Sequence, residues 1–209
     1  MGANGELFVA FDVLPTAANF SLSPGQEWFT SSTDGGATWS APVLLSGPYF
    51  ALLTTWWIET TLGIGRSGPL TSAFDVETPA GDVGFVRYSK DGGASWSPLI
   101  RITPDNDEAA HILQVAPGGG GVVYVGWLTD NATDGSWSVY VAALSTSTNA
   151  VTPPVRVSPL PGDPFWWPGD TIGMAYLGGG KVSVSWGAQV APFPFWNNDG
   201  IFNVTVPYS

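Results

Sequence analysis

The chain has 209 residues, of which 44% are hydrophobic and only 11% charged, and its formal net charge is −11. Its six Lys and Arg residues argue against nucleic acid as a partner, because phosphate binding needs clustered positive charge. The lack of Cys excludes disulfides, thiol nucleophiles and metal sites built on Cys.

Short strand-like segments joined by turns fill the chain, in keeping with its 27 Gly and 18 Pro residues. Gly, Pro or Thr breaks every long apolar run, so the sequence predicts no transmembrane helix. The segments fall into four repeats, of which the first lacks an inner strand and the fourth lacks an outer strand. The predicted strands, in chain order, are 6–12, 27–32 and 38–45; 54–60, 70–76, 83–89 and 95–102; 111–116, 122–128, 137–144 and 151–157; and 171–177, 181–187 and 200–206.

A small residue followed by an aromatic residue ends one predicted strand in each repeat. These aromatics are Phe11, Phe74, Trp127 and Trp186. Their separations of 63, 53 and 59 residues (74 − 11, 127 − 74 and 186 − 127) are typical of a repeat architecture. The sequence therefore predicts four copies of one unit.

The clearest repeat is a nine-residue motif. Ser-Thr-Asp-Gly-Gly-Ala-Thr-Trp-Ser at 32–40 returns as Ser-Lys-Asp-Gly-Gly-Ala-Ser-Trp-Ser at 89–97, 57 positions later (89 − 32). Asp-Gly-Gly suits a tight turn, because the carboxylate accepts backbone N–H bonds and glycine tolerates positive φ. The Trp should then fold back as a large apolar plug. We expect the two tryptophans to occupy equivalent corners of neighbouring sheets.

This motif resembles the Asp-box of the sialidase-like (BNR-repeat) β-propellers. The resemblance implies an all-β fold, a single partial ring over residues 1–209 with about four four-stranded antiparallel blades, two of them incomplete. The blades would be 5–46, 51–103, 110–158 and 170–209. It also implies a structural role in the turns for Ser32, Asp34, Gly36, Trp39, Ser89, Asp91, Gly93 and Trp96.

The two incomplete repeats lead us to expect a partner. In secreted members of the resembled family, a closing blade takes its missing strand from the other end of a longer chain. We expect further strands from another chain, or from another copy, to complete the edge blades. Composition and resemblance together predict a secreted or cell-surface protein. Three sequons provide candidate glycosylation sites, namely Asn19, Asn131 and Asn203.

Long predicted loops on one face of the scaffold hold the candidate binding residues. Exposed aromatics there could stack on sugar rings or anchor a protein. The alternative is that they pack over the end of the channel or against a neighbouring domain. The acidic loop Asp105, Asp107 and Glu108 is a weak calcium candidate, and a solvated turn explains it better. No other cofactor is expected. The candidate aromatics are Trp56, Trp57, Phe165, Trp166, Trp167, Phe193, Phe195 and Trp196.

The resemblance does not carry sialidase catalysis to this chain. Sialidases of this fold clamp the substrate carboxylate with three arginines. Here Arg87 falls on a predicted third strand and Arg101 and Arg156 on predicted outer strands, all at outer positions of their blades. Arg66 lacks the family's sequence context. We therefore expect a non-catalytic module for subunit association or glycan binding. The alternative is a fragment of a sialidase-type glycoside hydrolase.

Other residues leave weaker options. A pair of carboxylates could serve general glycosidase chemistry, and the candidates are Glu59, Asp75 and Glu77, although strand-end carboxylates are usually solvated. His111 is the only histidine, and we expect it to have a structural role.

Overall fold

The computed structural model describes residues 5–13, 24–47, 51–52, 60–65, 69–78, 81–104, 109–130, 137–158, 172–189 and 199–207. These residues form fifteen β-strands and no helix, and so none of them forms a helix that could span a membrane. The strands are β1 Leu7–Val13, β2 Pro24–Ser32, β3 Val43–Leu44, β4 Ala51–Leu52, β5 Thr61–Ile64, β6 Leu70–Thr78, β7 Gly81–Ser89, β8 Ile100–Arg101, β9 Ala109–Pro117, β10 Val122–Asp130, β11 Trp137–Ser145, β12 Val155–Arg156, β13 Ile172–Gly178, β14 Lys181–Gln189 and β15 Asp199–Pro207.

The strands form four antiparallel sheets that follow the chain order. The second and third sheets have the orders β5-β6-β7-β8 and β9-β10-β11-β12. The first sheet is β1-β2-β3, with β4 also paired to β2, and the fourth is β13-β14-β15. The predicted all-β class is confirmed. Among the described residues, the first sheet has no inner strand and the fourth has no outer strand, as the sequence predicted.

The four repeats share one register. The strand-ending aromatic of each repeat pairs with an aromatic of the next strand, and this happens at the same place in every sheet. The pairs are Phe11–Trp28, Phe74–Phe85, Trp127–Tyr140 and Trp186–Phe202.

The inner strand of the second sheet was predicted near 54–60, of which residues 54–59 lie outside the described part of the chain, and the strand that the structure describes comes later. The strand paired to β6 is β5, Thr61–Ile64. The β-branched and aromatic residues of 54–60 favour a strand there, whereas β5 contains a glycine. Gly63 lies against the third sheet so closely that an added Cβ would be 2.8 Å from Val115. Close approach of inner strands therefore selects a residue of low strand propensity here.

The outer strands are shorter than predicted, with only two residues each. Hydroxyl side chains extend each of them at both ends. Before each outer strand, a side-chain hydroxyl accepts a hydrogen bond at 3.0–3.1 Å from a backbone N–H of the neighbouring strand. The accepting residues are Ser40, Ser97 and Thr152. After each outer strand, a second hydroxyl accepts a hydrogen bond from another backbone N–H of that neighbouring strand, at 3.1–3.3 Å. The accepting residues are Ser46, Thr103 and Ser158.

Three apolar clusters lie between consecutive sheets. Phe29 and Leu45 of the first sheet pack against Phe74 and Val76 of the second. Val86 of the second sheet belongs to a cluster with Leu113 and Val125 of the third. A third cluster joins the third and fourth sheets, and it includes Leu128 and Trp186. The core is therefore a series of interfaces between neighbouring sheets.

The third sheet lacks the Asp-Gly-Gly sequence in its turn at 145–150, and other contacts hold that turn. The hydroxyl of Tyr88 lies 2.8 Å from Thr146 O and 2.7 Å from Asn149 Oδ1. Lys90 Nζ also donates to Thr146 O at 2.8 Å. Asn149 has a φ of 60°, which asparagine tolerates better than most residues. The third turn is thus attached to the second sheet by side chains.

Candidate functional site

The two Asp-Gly-Gly turns have the same hydrogen-bond pattern. In the first turn, Asp34 Oδ1 accepts bonds from Ser32 Oγ and Thr38 N, both at 2.8 Å, and Gly36 N donates to Ser32 Oγ at 2.8 Å. In the second turn, the equivalent donors to Asp91 Oδ1 lie at 2.7 and 2.9 Å. Hydrogen bonds from the side chain and backbone of the residue four positions later lower the pKa of both carboxyls to about 2. These groups are therefore engaged in the turns.

The two tryptophans of these turns have unlike surroundings, and the expectation of equivalent corners was wrong in this respect. Trp96 is half-buried against Phe29 of the preceding sheet, with ring centroids 5.0 Å apart and the rings edge to face. Trp39 is 45% exposed. The difference lies in the neighbouring sheet: Trp96 packs on the sheet that precedes its own, and no described sheet precedes the first.

The free face of the first sheet is apolar, and we call it the first-sheet face. It is defined by Val9, Phe11, Val13, Trp28 and Trp39. Val13 is 44% exposed, whereas its equivalent in the second sheet, Val76, is 2% exposed. In the same way Phe11 is half-buried and its equivalent Phe74 is 1% exposed. The first-sheet face thus carries the residue types that the second sheet buries.

The opposite free face, on the fourth sheet, is mainly polar along β14 and β15, although Leu177 of β13 is 57% exposed. The positions of β14 and β15 that point away from the core include Ser183, Ser185, Asn203 and Thr205. Asn203 is exposed, and its Nδ2 donates to Ser183 Oγ at 2.8 Å. The candidate glycosylation site at Asn203 is therefore on the surface. The two end faces therefore differ in polarity: the first-sheet face carries apolar side chains, whereas β14 and β15 present mainly polar ones.

A row of ionisable side chains crosses the first three sheets. The row lies at the same ends of the strands as the predicted long loops 14–26 and 129–136, so it is on the face where the sequence predicted binding. Its members are Asp12 and Glu27 of the first sheet, Asp75 and Asp82 of the second, and His111 and Asp130 of the third. The sequence marks Asp75 and His111 as separate candidates and gives no sign of their proximity.

At one end of the row, two carboxyls face each other. Asp12 and Glu27 are cross-strand partners and are hydrogen-bonded through their side chains. Burial, followed by the Asp12 carboxyl, raises the pKa of Glu27 to about 11, and burial also raises the pKa of Asp12. Ser72 Oγ of the second sheet donates to Glu27 Oε1 at 3.2 Å. We infer that the pair shares a proton, since two facing carboxylates need a donor.

At the other end, carboxylates surround His111. Its Nδ1 is 3.3 Å from Asp82 Oδ2, and its Nε2 is 3.3 Å from Asp130 Oδ1. Burial opposes the charged imidazole, but Asp130 and Asp82 outweigh it, so the pKa of His111 is raised. Burial and the Asp82 charge raise the pKa of Asp75 to about 7. The expectation of a structural role for His111 stays a prediction.

Asp12 and Glu27 do not have the geometry of a glycosidase pair. Carboxyls that act on a glycosidic bond stand at least about 5 Å apart to admit the sugar. Asp12 and Glu27 are in direct hydrogen-bond contact. These two groups therefore bind each other.

The described arginines are bonded to groups of the fold. Arg87 Nη1 donates to Leu44 O at 3.3 Å, across the interface of the first two sheets. Arg101 donates to two carbonyls, Thr103 O at 3.0 Å and Pro104 O at 2.9 Å. Arg156 Nε donates to Ser158 Oγ at 3.2 Å. These three residues lie on third or outer strands, as predicted, and they do not converge.

A cavity of about 660 Å³ opens between the inner strands β5, β9 and β13. It is lined by apolar residues and glycines, including Ile64, Val115, Met174 and Tyr176. It lies at the tight turns that follow the inner strands, on the face opposite the acidic row. The described lining of this cavity has no carboxylate or histidine for acid–base chemistry.

Several predicted residues lie outside the described part of the chain. They are the aromatics Trp56, Trp57, Phe165, Trp166, Trp167, Phe193, Phe195 and Trp196, the acidic loop Asp105, Asp107 and Glu108, the sequons Asn19 and Asn131, and Glu59 and Arg66. Glu77 is at a described strand position, but its side chain is outside the description.

No protein-family model and no curated protein matches this chain. Solved structures are similar to it. One is a protein of unknown function from Dyadobacter fermentans, with 17% identity, a TM-score of 0.60, and coverage of 98% of this chain and 50% of that one. Another is an α-L-arabinanase from Penicillium chrysogenum complexed with arabinobiose, with 18% identity, a TM-score of 0.56, and coverage of 99% and 61%. A sialidase from Streptococcus pneumoniae has 16% identity, a TM-score of 0.47, and coverage of 81% and 24%.

These likenesses are too low in identity to show more than a fold. The chain spans 50% and 61% of the length of the first two structures. Together with the four antiparallel sheets, they give the chain a β-propeller fold.

Proposed function

We propose that the chain is part of a larger β-propeller that functions by binding, and that a further blade packs on its first-sheet face. The observation that carries this proposal is the contrast between Trp96, packed on Phe29, and Trp39, which is 45% exposed. Both residues follow turns with the same hydrogen bonds, so the difference comes from the missing neighbour.

The interface of the first two sheets indicates what the further blade must carry. Phe29 lies on β2, which matches the third strand of the complete second and third sheets, and its ring packs edge to face with Trp96. A blade that covers Trp39 in the same way needs an aromatic residue at the position equivalent to Phe29. The blade can belong to the same polypeptide or to another chain, since the contact chemistry is shared. The polar face of the fourth sheet does not offer an aromatic there, because its equivalent residue is Asn203.

An extended chain tests this proposal. A second copy of residues 5–60, placed ahead of Gly5, would present its own Phe29 to Trp39. In the unextended chain, Trp39→Ala should lower the Tm less than Trp96→Ala does. In the extended chain, the two substitutions should have similar effects, and acrylamide should quench Trp39 less. Thr38→Ala serves as the control, since it leaves the plug in place. The proposal fails if the added copy leaves the effect of Trp39→Ala unchanged.

The ligand that we propose is a glycan, bound outside the cell or at its surface. One similar structure is an arabinanase complexed with arabinobiose. The acidic row is on the face of the long loops, and the side chain of Asp130 is 39% exposed there. A carboxylate at that place can accept hydrogen bonds from sugar hydroxyls, and Trp166 and Trp196 of the long loops are of the residue type that stacks on sugar rings.

Tryptophan fluorescence tests glycan binding directly. Arabinobiose, longer arabino-oligosaccharides and a sialylated trisaccharide should be titrated in turn, with a glycan array for breadth. We expect saturable quenching that Trp166→Ala and Trp196→Ala abolish. Trp39→Ala is the matched control, because it changes a tryptophan on a different surface. No response to any sugar would leave assembly as the function.

We also propose that this chain does not hydrolyse sialosides. A sialidase needs three arginines on the substrate carboxylate. Arg87, Arg101 and Arg156 donate to other groups of the fold instead. Fluorogenic sialosides and arabinosides should therefore show no turnover above the buffer rate. Turnover by the purified chain would favour the alternative, a fragment of a glycoside hydrolase.

A further inference from the structure

Asp75, Asp82 and His111 bring three potential metal ligands together at the interface of the second and third sheets. One ligand atom of each residue lies within 4.8 Å of the other two. The residues are 5%, 7% and 8% exposed, so the cluster is buried. Asp75 Oδ1 has no hydrogen-bond partner, although an unpartnered buried carboxylate oxygen is costly.

The two ring nitrogens of His111 face Asp82 and Asp130, so the histidine does not supply a donor to Asp75 Oδ1. When Nε2–H faces Asp130, the neutral ring presents the lone pair of Nδ1 to Asp82 Oδ2, 3.3 Å away. Two electron-rich atoms then face each other in a buried site. A second proton on the ring would relieve that contact, but it would leave Asp75 Oδ1 without a partner. A cation among the three ligand atoms satisfies all of them at once.

The geometry points to a divalent transition-metal site formed by Asp75, Asp82 and His111, and the ion that suits it best is Zn²⁺. Imidazole with carboxylates is a ligand set for Zn²⁺, whereas Ca²⁺ takes oxygen ligands. Two carboxylates neutralise a divalent charge in a buried site. Ligand atoms bound to a tetrahedral ion at about 2.0–2.2 Å lie about 3.3–3.6 Å apart. The 3.3 Å between His111 Nδ1 and Asp82 Oδ2 already matches this spacing, and closure needs a shift of up to about 1 Å in Asp75.

The groups around the cluster support this assignment. Asp130 Oδ1 lies on Nε2 of His111, the arrangement in which a carboxylate fixes the ring of a metal-bound histidine. The ion would join the second and third sheets, since two ligands come from one and the third from the other. This inference is independent of both the further blade and the glycan.

Metal binding to the whole chain tests the inference. The chain is dialysed against EDTA and then titrated with ZnCl₂, with CaCl₂ in parallel, and bound metal is counted by equilibrium dialysis. We expect one Zn²⁺ per chain and, at 100 times the Kd, a rise in Tm of about 5–10 °C. His111→Gln and Asp75→Asn should each weaken binding at least about tenfold. Asp91→Asn is the control, since it removes an exposed carboxylate elsewhere.

Two further readouts distinguish an ion bound at His111 from an ion held elsewhere on the chain. Co²⁺ in place of Zn²⁺ should give visible d–d absorption that His111→Gln removes, while circular dichroism confirms that the variant is folded. The inference is overturned if no saturable 1:1 binding occurs, or if His111→Gln binds Zn²⁺ as the parent chain does. It is equally overturned if ¹⁵N NMR finds both ring nitrogens of His111 protonated at neutral pH with one equivalent of Zn²⁺ present.

Discussion

Alanine at Gly93 should destabilise the chain far more than alanine at Gly36, although the two glycines are equivalent. Both have a φ of +94° in turns with the same hydrogen bonds. A Cβ at Gly93 would be 2.2 Å from the ring of Phe29 in the preceding sheet. A Cβ at Gly36 would meet only side chains of its own sheet, the nearest being Leu7 at 3.3 Å. The pair therefore isolates the contact between sheets from backbone strain.

The expected magnitudes follow from these two terms. Alanine at positive φ costs roughly 1–2 kcal/mol at either position. Overpacking against a buried ring adds about 1–3 kcal/mol, and it applies only to Gly93→Ala. The free energies of unfolding should thus differ by about 1–3 kcal/mol. For a chain of this size that corresponds to a difference in Tm of about 2–12 °C.

Urea unfolding followed by circular dichroism measures the difference, provided that the m-values of the two variants agree. The same pair in a Phe29→Leu background provides the control, because shortening this side chain should shrink the gap between Gly93→Ala and Gly36→Ala. Equal losses of stability for the two variants in the parent background would refute the reasoning.

Three other predictions address single side chains. Glu27→Gln should make the free energy of unfolding less dependent on pH. The folded pKa of Glu27, about 11, lies above its unfolded value, so the parent chain loses stability as pH rises through the neutral range. Thermal melts at about pH 5 to 9 should therefore show a smaller change of Tm with pH for the variant than for the parent. Asp91→Ala should act in the opposite range, because the lowered pKa makes the parent lose stability as pH falls from about 4 towards 2; an undiminished acid loss in the variant would contradict this. Tyr88→Phe should cost about 1–2 kcal/mol in chemical denaturation, since it removes the hydroxyl that reaches Thr146 O, and an unchanged midpoint would count against that contact.

Local sequence patterns were sufficient to predict most of the sheets. The small-aromatic step and the Asp-Gly-Gly turn mark the ends of the second and third strands, where side-chain alternation is strong. The inner strand of the second sheet could not be found in this way. Gly63 is placed there by close contact with Val115, which belongs to another sheet and is 52 residues away (115 − 63). Local propensity cannot report such a contact.

The candidate sites were harder to predict for the same reason. The acidic row does have a local sequence signal, since Asp12 and Asp75 each follow the strand-ending aromatic directly. His111 carries no such signal, because its approach to Asp82 depends on the packing of two sheets. The exposure of Trp39 depends on a neighbour that the described sheets do not include. The sequence of a turn motif therefore predicts the hydrogen bonds within the turn but not whether another sheet packs on its tryptophan.

The hydroxyl pairs that flank the outer strands have a consequence for aggregation. In each of the first three sheets, the two hydroxyls are six residues apart (46 − 40, 103 − 97 and 158 − 152) and occupy the amides of the third strand on either side of the short ladder. Those amides are then unavailable as a template for an added strand. An outer strand of only two paired residues can therefore end each sheet without exposing backbone groups of the third strand. These sheet edges should resist the addition of strands from other molecules.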